Sequence, residues 1–408
     1  MAKIEQTPER LHALDAVRGY ALLLGIVLHA TLSFMPTPSR IWIIQDSHPS
    51  MTLGVLFFSI HVFRMTTFFL IAGFFAHLSF RRRGASGFIK DRLQRIALPL
   101  VVGWPILFAA IGVVVYWAAS FPNGGPLPGR STWPVLPNFP LAHLWFLYVL
   151  LEFYAAVLVL RAGLVWLDPN GRIRARVDRL IGQLVQSRLA PAILAVPIGI
   201  ALCLDPTWVG WFGVRTPDAS LVTNLQAWIG FGTAFGFGWL LHRQVDLIWI
   251  LERRWVLNSV LAIVLIAASF VLAVIIRQRP PQIGYDPVRL AGAACYALAI
   301  WTTTFAVIAL ALRFLSGFSP VRRYLADASY WLYLIHLPIL MVLQVAVSDL
   351  DWPWPVKFAG ILLVALTLMF ASYQWLVRYS FIGTVLNGRR VRREGQLATT
   401  ATAGSAAT

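Results

Sequence analysis

Apolar runs of 18 or more residues recur along nearly the whole chain, and each is long enough to cross about 30 Å of hydrocarbon as a helix. That pattern constrains the fold more than any other feature, because a backbone in lipid must satisfy its own hydrogen bonds. The runs predict helices near 17–35, 52–79, 96–120, 141–163, 188–204, 222–242, 256–276, 288–312, 327–348 and 356–380. The expected fold is therefore all-α, a polytopic integral membrane protein with about ten transmembrane helices. Its parts are a 1–16 N-terminal segment, a 17–380 transmembrane domain and a 381–408 basic tail. The stretch after Gln396 has no apolar periodicity and is expected to be disordered.

Composition agrees, with 58% apolar and 12% charged residues in 408. A net charge of +17 would suit a nucleic-acid binder if it lay on one soluble face, but here the basic residues fall in short segments between apolar runs. They set orientation instead. With a cytoplasmic N-terminus, the cytoplasmic segments hold Arg81, Arg82, Arg83, Lys90, Arg92, Arg95, Arg172, Arg174, Arg176, Arg179, Arg253, Arg254, Arg322, Arg323 and the tail arginines. The outer segments hold only a scatter such as Arg40, Arg130, Arg215, Arg277 and Arg279. The positive-inside rule then supports ten spans with both termini in the cytoplasm. Two outer stretches read as irregular cover, Pro122 to Pro140 and Asp205 to Asp218.

Cys203 and Cys295 both lie in apolar runs, so neither a disulfide framework nor a zinc spacing is expected. No histidine pair has the i,i+4 spacing of a helical metal site, and no metal is expected.

Ionisable side chains inside lipid are costly and usually mark a site. Counting 1.5 Å per residue, His29, His61, Arg64, Glu152 and His336 all fall roughly 14–18 Å inside their helices, near one plane. Interhelical glue explains one such residue more readily than several at one depth. Arg18 and His29 are eleven residues apart and share a helix face with Asp15 and Gly25. Gly25 removes a side chain where a neighbour could approach. His143 and Trp145 lie at the outer mouth of the fourth helix, where a belt residue and a binding residue look alike. His12, His48, His77 and His242 read as bland.

Leu14-Asp-Ala-Val-Arg-Gly19, with His29 completing an Arg-x10-His pattern, resembles the opening of the membrane acyltransferase-3 family. His61-Val-Phe-Arg-Met65, Arg92-Leu-Gln-Arg-Ile-Ala-Leu-Pro99, His143-Leu-Trp-Phe-Leu147 and Ala328-Ser-Tyr-Trp-Leu-Tyr-Leu-Ile-His-Leu-Pro338 follow in that family's order, over about 11–380. The resemblance implies an acyl group taken from cytoplasmic acyl-CoA, with no bound cofactor, and delivered to a periplasmic hydroxyl. The branch it most resembles implies succinyl-CoA as donor and a periplasmic glucan as acceptor. Another surface glycan, such as lipopolysaccharide, is the alternative.

On this reading His29, Arg64, His61 and Glu152 are the catalytic candidates, and Asp15, Arg18, His143, Trp145 and His336 the substrate-binding ones. His29 serves as general base or acyl carrier. Arg64 stabilises the oxyanion or binds a succinyl carboxylate, unless it is spent on an ion pair with Glu152. A transporter would use the same residue types, but it predicts inverted repeats with broken helices, and none is evident.

Overall fold

The computed structural model describes residues 9–36, 42–125, 136–279 and 286–387, with side chains from His12 onward. The N-terminal residues before these, the tail arginines, Arg40, Arg130 and the tail's expected disorder lie outside the described residues. Each predicted apolar run is helical. The helices are α1 (Glu9–Thr31), α2 (Met51–Arg92), α3 (Leu98–Ala118), α4 (Trp145–Leu167), α5 (Arg172–Gln186), α6 (Ala190–Leu204), α7 (Leu225–Arg243), α8 (Ile248–Arg253), α9 (Trp255–Gln278), α10 (Pro287–Phe314), α11 (Pro320–Val347), α12 (Trp354–Ser372) and α13 (Phe381–Asn387). No strand forms among the described residues, only two isolated bridges, Ile44 with Gly124 and Asn138 with Ser220.

Seven helices among the described residues are long and apolar enough to cross a membrane, or eight if the bent α5–α6 pair counts as one span. Three of the ten expected spans account for the difference. The second and third runs join into one helical stretch of 68 residues, Met51–Ala118, because the basic segment between them is itself helical apart from a break at Gly84. Only one residue there, Gly84, adopts a non-helical conformation. The 188–204 run is α6, which meets α5 at 107°. The 222–242 run is α7, whose glycines and closing His242–Arg243 pair dilute its hydropathy.

Two glycines set a close crossing of α2 and α7. A Cβ at Gly73 of α2 would strike the Phe235 carbonyl, and one at Gly238 of α7 the Leu70 carbonyl, so each helix backbone rests directly on the other. His77 and His242 join the same two helices with Nδ1 atoms 2.7 Å apart. Read from sequence as bland, they form a buried pair.

The end of the bundle carrying Arg82, Arg92, Arg95 and Arg323 is called here the basic face. At the opposite face, fully buried Lys357 donates to both oxygens of Asp46 at 3.0 and 3.1 Å, to Ser47 Oγ at 3.0 Å and to the Ser348 carbonyl at 3.3 Å. This bond set ties the segment after α1 to the junction of α11 and α12.

Candidate active site

The site is assembled where α1, α2, α4 and α11 meet. His29 lies in the last turn of α1 and His336 in the middle of α11. His336 Nδ1 lies 2.6 Å from the Tyr333 carbonyl oxygen, which can only accept, so Nδ1 carries that ring's proton. Its Nε2 lies 3.1 Å from His29 Nδ1, with the ring planes 19° apart. Two neutral rings can make that contact only if His29 Nδ1–H donates. The Nε2 lone pair of His29 is then left free, the form that can take up a proton.

Proline 338 explains how α4 is locked in. It has no N–H, so the Leu334 carbonyl four residues earlier loses its helical donor. His143 supplies the replacement, its Nε2 lying 2.9 Å from that carbonyl. The Tyr333 hydroxyl returns the contact by donating to the His143 carbonyl at 2.7 Å. With its proton committed at Nε2, His143 holds Nδ1 as a buried acceptor that has no partner among the described residues. Its ring centroid is 5.1 Å from that of His336.

Arg64 enters from α2. Its guanidinium occupies the space that Gly25 leaves open, since a Cβ there would overlap Nη1. Its Nε is buried without a hydrogen-bond partner among the described residues. The ion pair with Glu152 that the sequence left open is not formed. Glu152 instead accepts from Thr223 Oγ1 at 2.8 Å, because the segment ahead of α7 reaches its side chain first.

His29, Arg64, His143, His336, Trp145 and Tyr333 line a cavity of about 40 Å³. A larger cavity of about 410 Å³ opens at the basic face, and Leu22, Phe68, Phe146 and Tyr333 line both. The two therefore adjoin across that ring of residues. The wall of the larger cavity carries six arginines, Arg18, Arg82, Arg83, Arg92, Arg95 and Arg323, against two aspartates, Asp15 and Asp327. Buried Asp91 fixes three of these arginines, reaching Arg83 at 2.8 Å, Arg92 at 2.9 Å and Arg95 at 3.1 Å. Asp15 pairs with Arg18 at 3.3 Å and reaches Arg323 at 3.9 Å. The surplus of guanidinium suits an anionic ligand, and planar forks suit phosphate in particular.

Of the residues chosen from sequence, His29, Arg64, His143, Trp145 and His336 converge on the inner cavity, and Asp15 and Arg18 line the outer one. His61 lies next to the site without lining it, its ring 5.3 Å from Phe57. Glu152 lines neither cavity. Sequence reasoning missed Tyr333 and Asp91. The signal for Tyr333 was its place three residues before His336 in a helix interrupted by Pro338.

An apolar helical bundle that encloses a polar site, with a rim of arginines beside a histidine pair, defines a multi-pass membrane protein. Comparison identifies the family: residues 11–374 match the acyltransferase-3 family model, an acyltransferase domain, and the chain belongs to that family. It is similar to glucans biosynthesis protein C of Escherichia coli O139:H28 (strain E24377A / ETEC), 25% identical over 340 residues that cover 82% of this chain and 83% of the relative. The protein of the same name from Escherichia coli O1:K1 / APEC is 29% identical over 201 residues, 48% of each chain. No solved structure matches.

Proposed function

We propose that this protein is an inner-membrane O-acyltransferase with ten spans and both termini in the cytoplasm. It moves an acyl group, succinyl in the first instance, from cytoplasmic acyl-CoA to hydroxyls of a periplasmic glucan. The observation that carries the proposal is the placing of an arginine-lined cavity beside the smaller cavity lined by His29, the two sharing Leu22, Phe68, Phe146 and Tyr333.

The rim arginines bind the phosphates of CoA and direct the thioester arm past Phe68 and Phe146 to the inner cavity. The acceptor hydroxyl donates its proton to His29 Nε2 as its oxygen bonds to the thioester carbon. Arg64, which lines the same cavity and whose Nε has no hydrogen-bond partner among the described residues, stabilises the tetrahedral oxyanion or holds the far carboxylate of a succinyl group. The carbon–sulfur bond then breaks, and the CoA thiolate takes the proton from His29. The ester leaves with the glucan, CoA leaves as thiol, and both histidines are again neutral. His336 is never required to change tautomer in this sequence, because Tyr333 holds its proton throughout.

The name shared by the relatives supports a glucan acceptor. The test is mass spectrometry of periplasmic glucans from the native strain, a deletion strain, and deletion strains complemented with wild type, His29→Ala or Arg64→Lys. Succinyl esters lost on deletion and restored by wild type but not by His29→Ala support the proposal. Unchanged glucans in the deletion strain overturn the acceptor assignment and direct attention to other surface glycans. Full succinylation by Arg64→Lys would rule out bidentate binding of the succinyl carboxylate.

A further inference from the structure

The first turn of any helix leaves donors unpaired and the last turn leaves acceptors unpaired. α1 runs straight into a 3-10 turn, Leu32–Phe34, and the carbonyls at this junction find mixed partners. The Leu28 carbonyl accepts from the Thr31 hydroxyl at 2.7 Å. The next two carbonyls are met from another helix: Gln344 of α11 donates through Nε2 to the carbonyls of His29 at 3.0 Å and Ala30 at 3.2 Å. Its Oε1 accepts from the Trp42 indole N–H at 2.8 Å. The amide orientation is unambiguous, since the carbonyls can only accept and the indole can only donate.

Gln344 is 1% exposed, and buried Met341 and Val345 flank it on α11 among apolar neighbours. A buried primary amide is expensive unless its hydrogen bonds are met, and here three are met, by His29, Ala30 and Trp42. One of them falls on the main chain of His29 and a second on the next residue, Ala30. His336 sits eight residues earlier on the same helix and holds the side chain of His29. The helix α11 therefore grips His29 twice, by its ring through His336 and by its main chain through Gln344. The Trp42 ring, 6.2 Å from the His29 ring, is fixed by the same amide.

We propose that Gln344 is a positioning residue for the acyl transfer, setting the height and rotation of His29 so that its Nδ1 meets His336 and its Nε2 faces the inner cavity. The inference rests on His29 acting as the base. Gln344 touches neither donor nor acceptor, so its loss should act on turnover and leave binding alone.

The experiment uses the full chain purified into lipid nanodiscs, with succinyl-CoA as donor and a β-glucan as acceptor. Gln344→Leu keeps the side-chain size and removes all three bonds. It is expected to lower kcat about 10- to 100-fold, the scale of a sub-ångström to 1 Å misplacement of a reacting group, with KM for succinyl-CoA unchanged. Trp42→Phe, which removes only the indole donor, should give a smaller loss in the same direction. Wild-type kcat in Gln344→Leu, or a parallel fall in kcat, donor affinity and thermal stability, overturns the proposal.

A second readout does not depend on the substrates. Carbethoxylation of His29 by diethyl pyrocarbonate, followed by peptide mass spectrometry, should run several-fold faster in Gln344→Leu than in wild type, because a loosened ring exposes both nitrogens. An unchanged rate overturns the positioning role. If wild type itself fails to turn over succinyl-CoA while this rate rises, the substrate reading fails and the positioning role stands.

Discussion

Replacing His336 by Phe tests whether the histidine pair fixes the working form of His29. The change keeps an aromatic ring of similar size and removes the acceptor that lies 3.1 Å from His29 Nδ1. His29 then has a buried N–H without its partner, and nothing selects the tautomer with a free Nε2. The adjoining cavity of about 40 Å³ has room for a water to satisfy part of the loss, since roughly 10–15 Å³ suffices for one. The cost is therefore placed at about 1–3 kcal/mol, the range for a buried donor left unpaired. At 1.36 kcal/mol per decade this is about a 5- to 150-fold fall in kcat. The arginines of the outer cavity are untouched, so KM for the acyl-CoA should stay within about twofold. Steady-state kinetics in nanodiscs, with melting curves on the same samples, separate the two parameters from unfolding. His336→Gln offers a carbonyl oxygen to the same N–H and should recover part of the loss. Wild-type turnover in His336→Phe, or no advantage of Gln over Phe, would refute the reasoning.

Three further outcomes follow from other contacts. Gly25→Ala inserts a methyl group where Arg64 Nη1 now lies, and the displaced guanidinium should cost about 10- to 100-fold in kcat, read in the same assay; retained activity would mean that Arg64 serves the reaction from elsewhere. Arg82→Gln with Arg323→Gln thins the arginine rim and should raise KM for acyl-CoA by about tenfold or more, from the loss of charge-assisted bonds worth about 1.5–3 kcal/mol each; that difference should shrink as salt is added, because exposed charges are screened. Lys357→Met strands Asp46 in a buried site and should cost about 3–5 kcal/mol of stability, whereas pairing it with Asp46→Leu should recover most of that; melting temperatures in detergent distinguish the two, and equal values would show that the pair is not the lock it resembles.

The fold was legible because lipid simplifies the code. A long apolar run leaves the backbone few conformations other than a helix, and each predicted run is one. Connections were harder to read. The segment Arg81 to Arg95 looks like a solvated basic loop, yet helical propensity carries it on, and Asp91 draws three of its arginines together across the turn. In the site, depth counting picked out His29, Arg64 and His336, because charge in lipid is expensive whatever the neighbouring helix does. It could not assign partners. Glu152 satisfied the same depth criterion but bonds Thr223, and which helix reaches a side chain first is a matter of tertiary packing.

The distribution of hydrogen bonds around the histidines suits the proposed chemistry. Each imidazole has one nitrogen engaged by a neighbour that leaves no choice of tautomer: the Tyr333 carbonyl for His336, the Leu334 carbonyl for His143, and then His336 for His29. Main-chain carbonyls cannot ionise, so this order does not depend on a carboxylate that would itself have to be kept charged in lipid. All three of these acceptors lie on α11, and the one at Leu334 is available because Pro338 withholds its N–H. Restoring that N–H by Pro338→Ala should return the Leu334 carbonyl to the helix ladder and compete with His143. If the geometry is built this way, Pro338→Ala should loosen α4 and lower turnover while making α11 itself the better helix, a combination that a purely structural role for the proline does not produce.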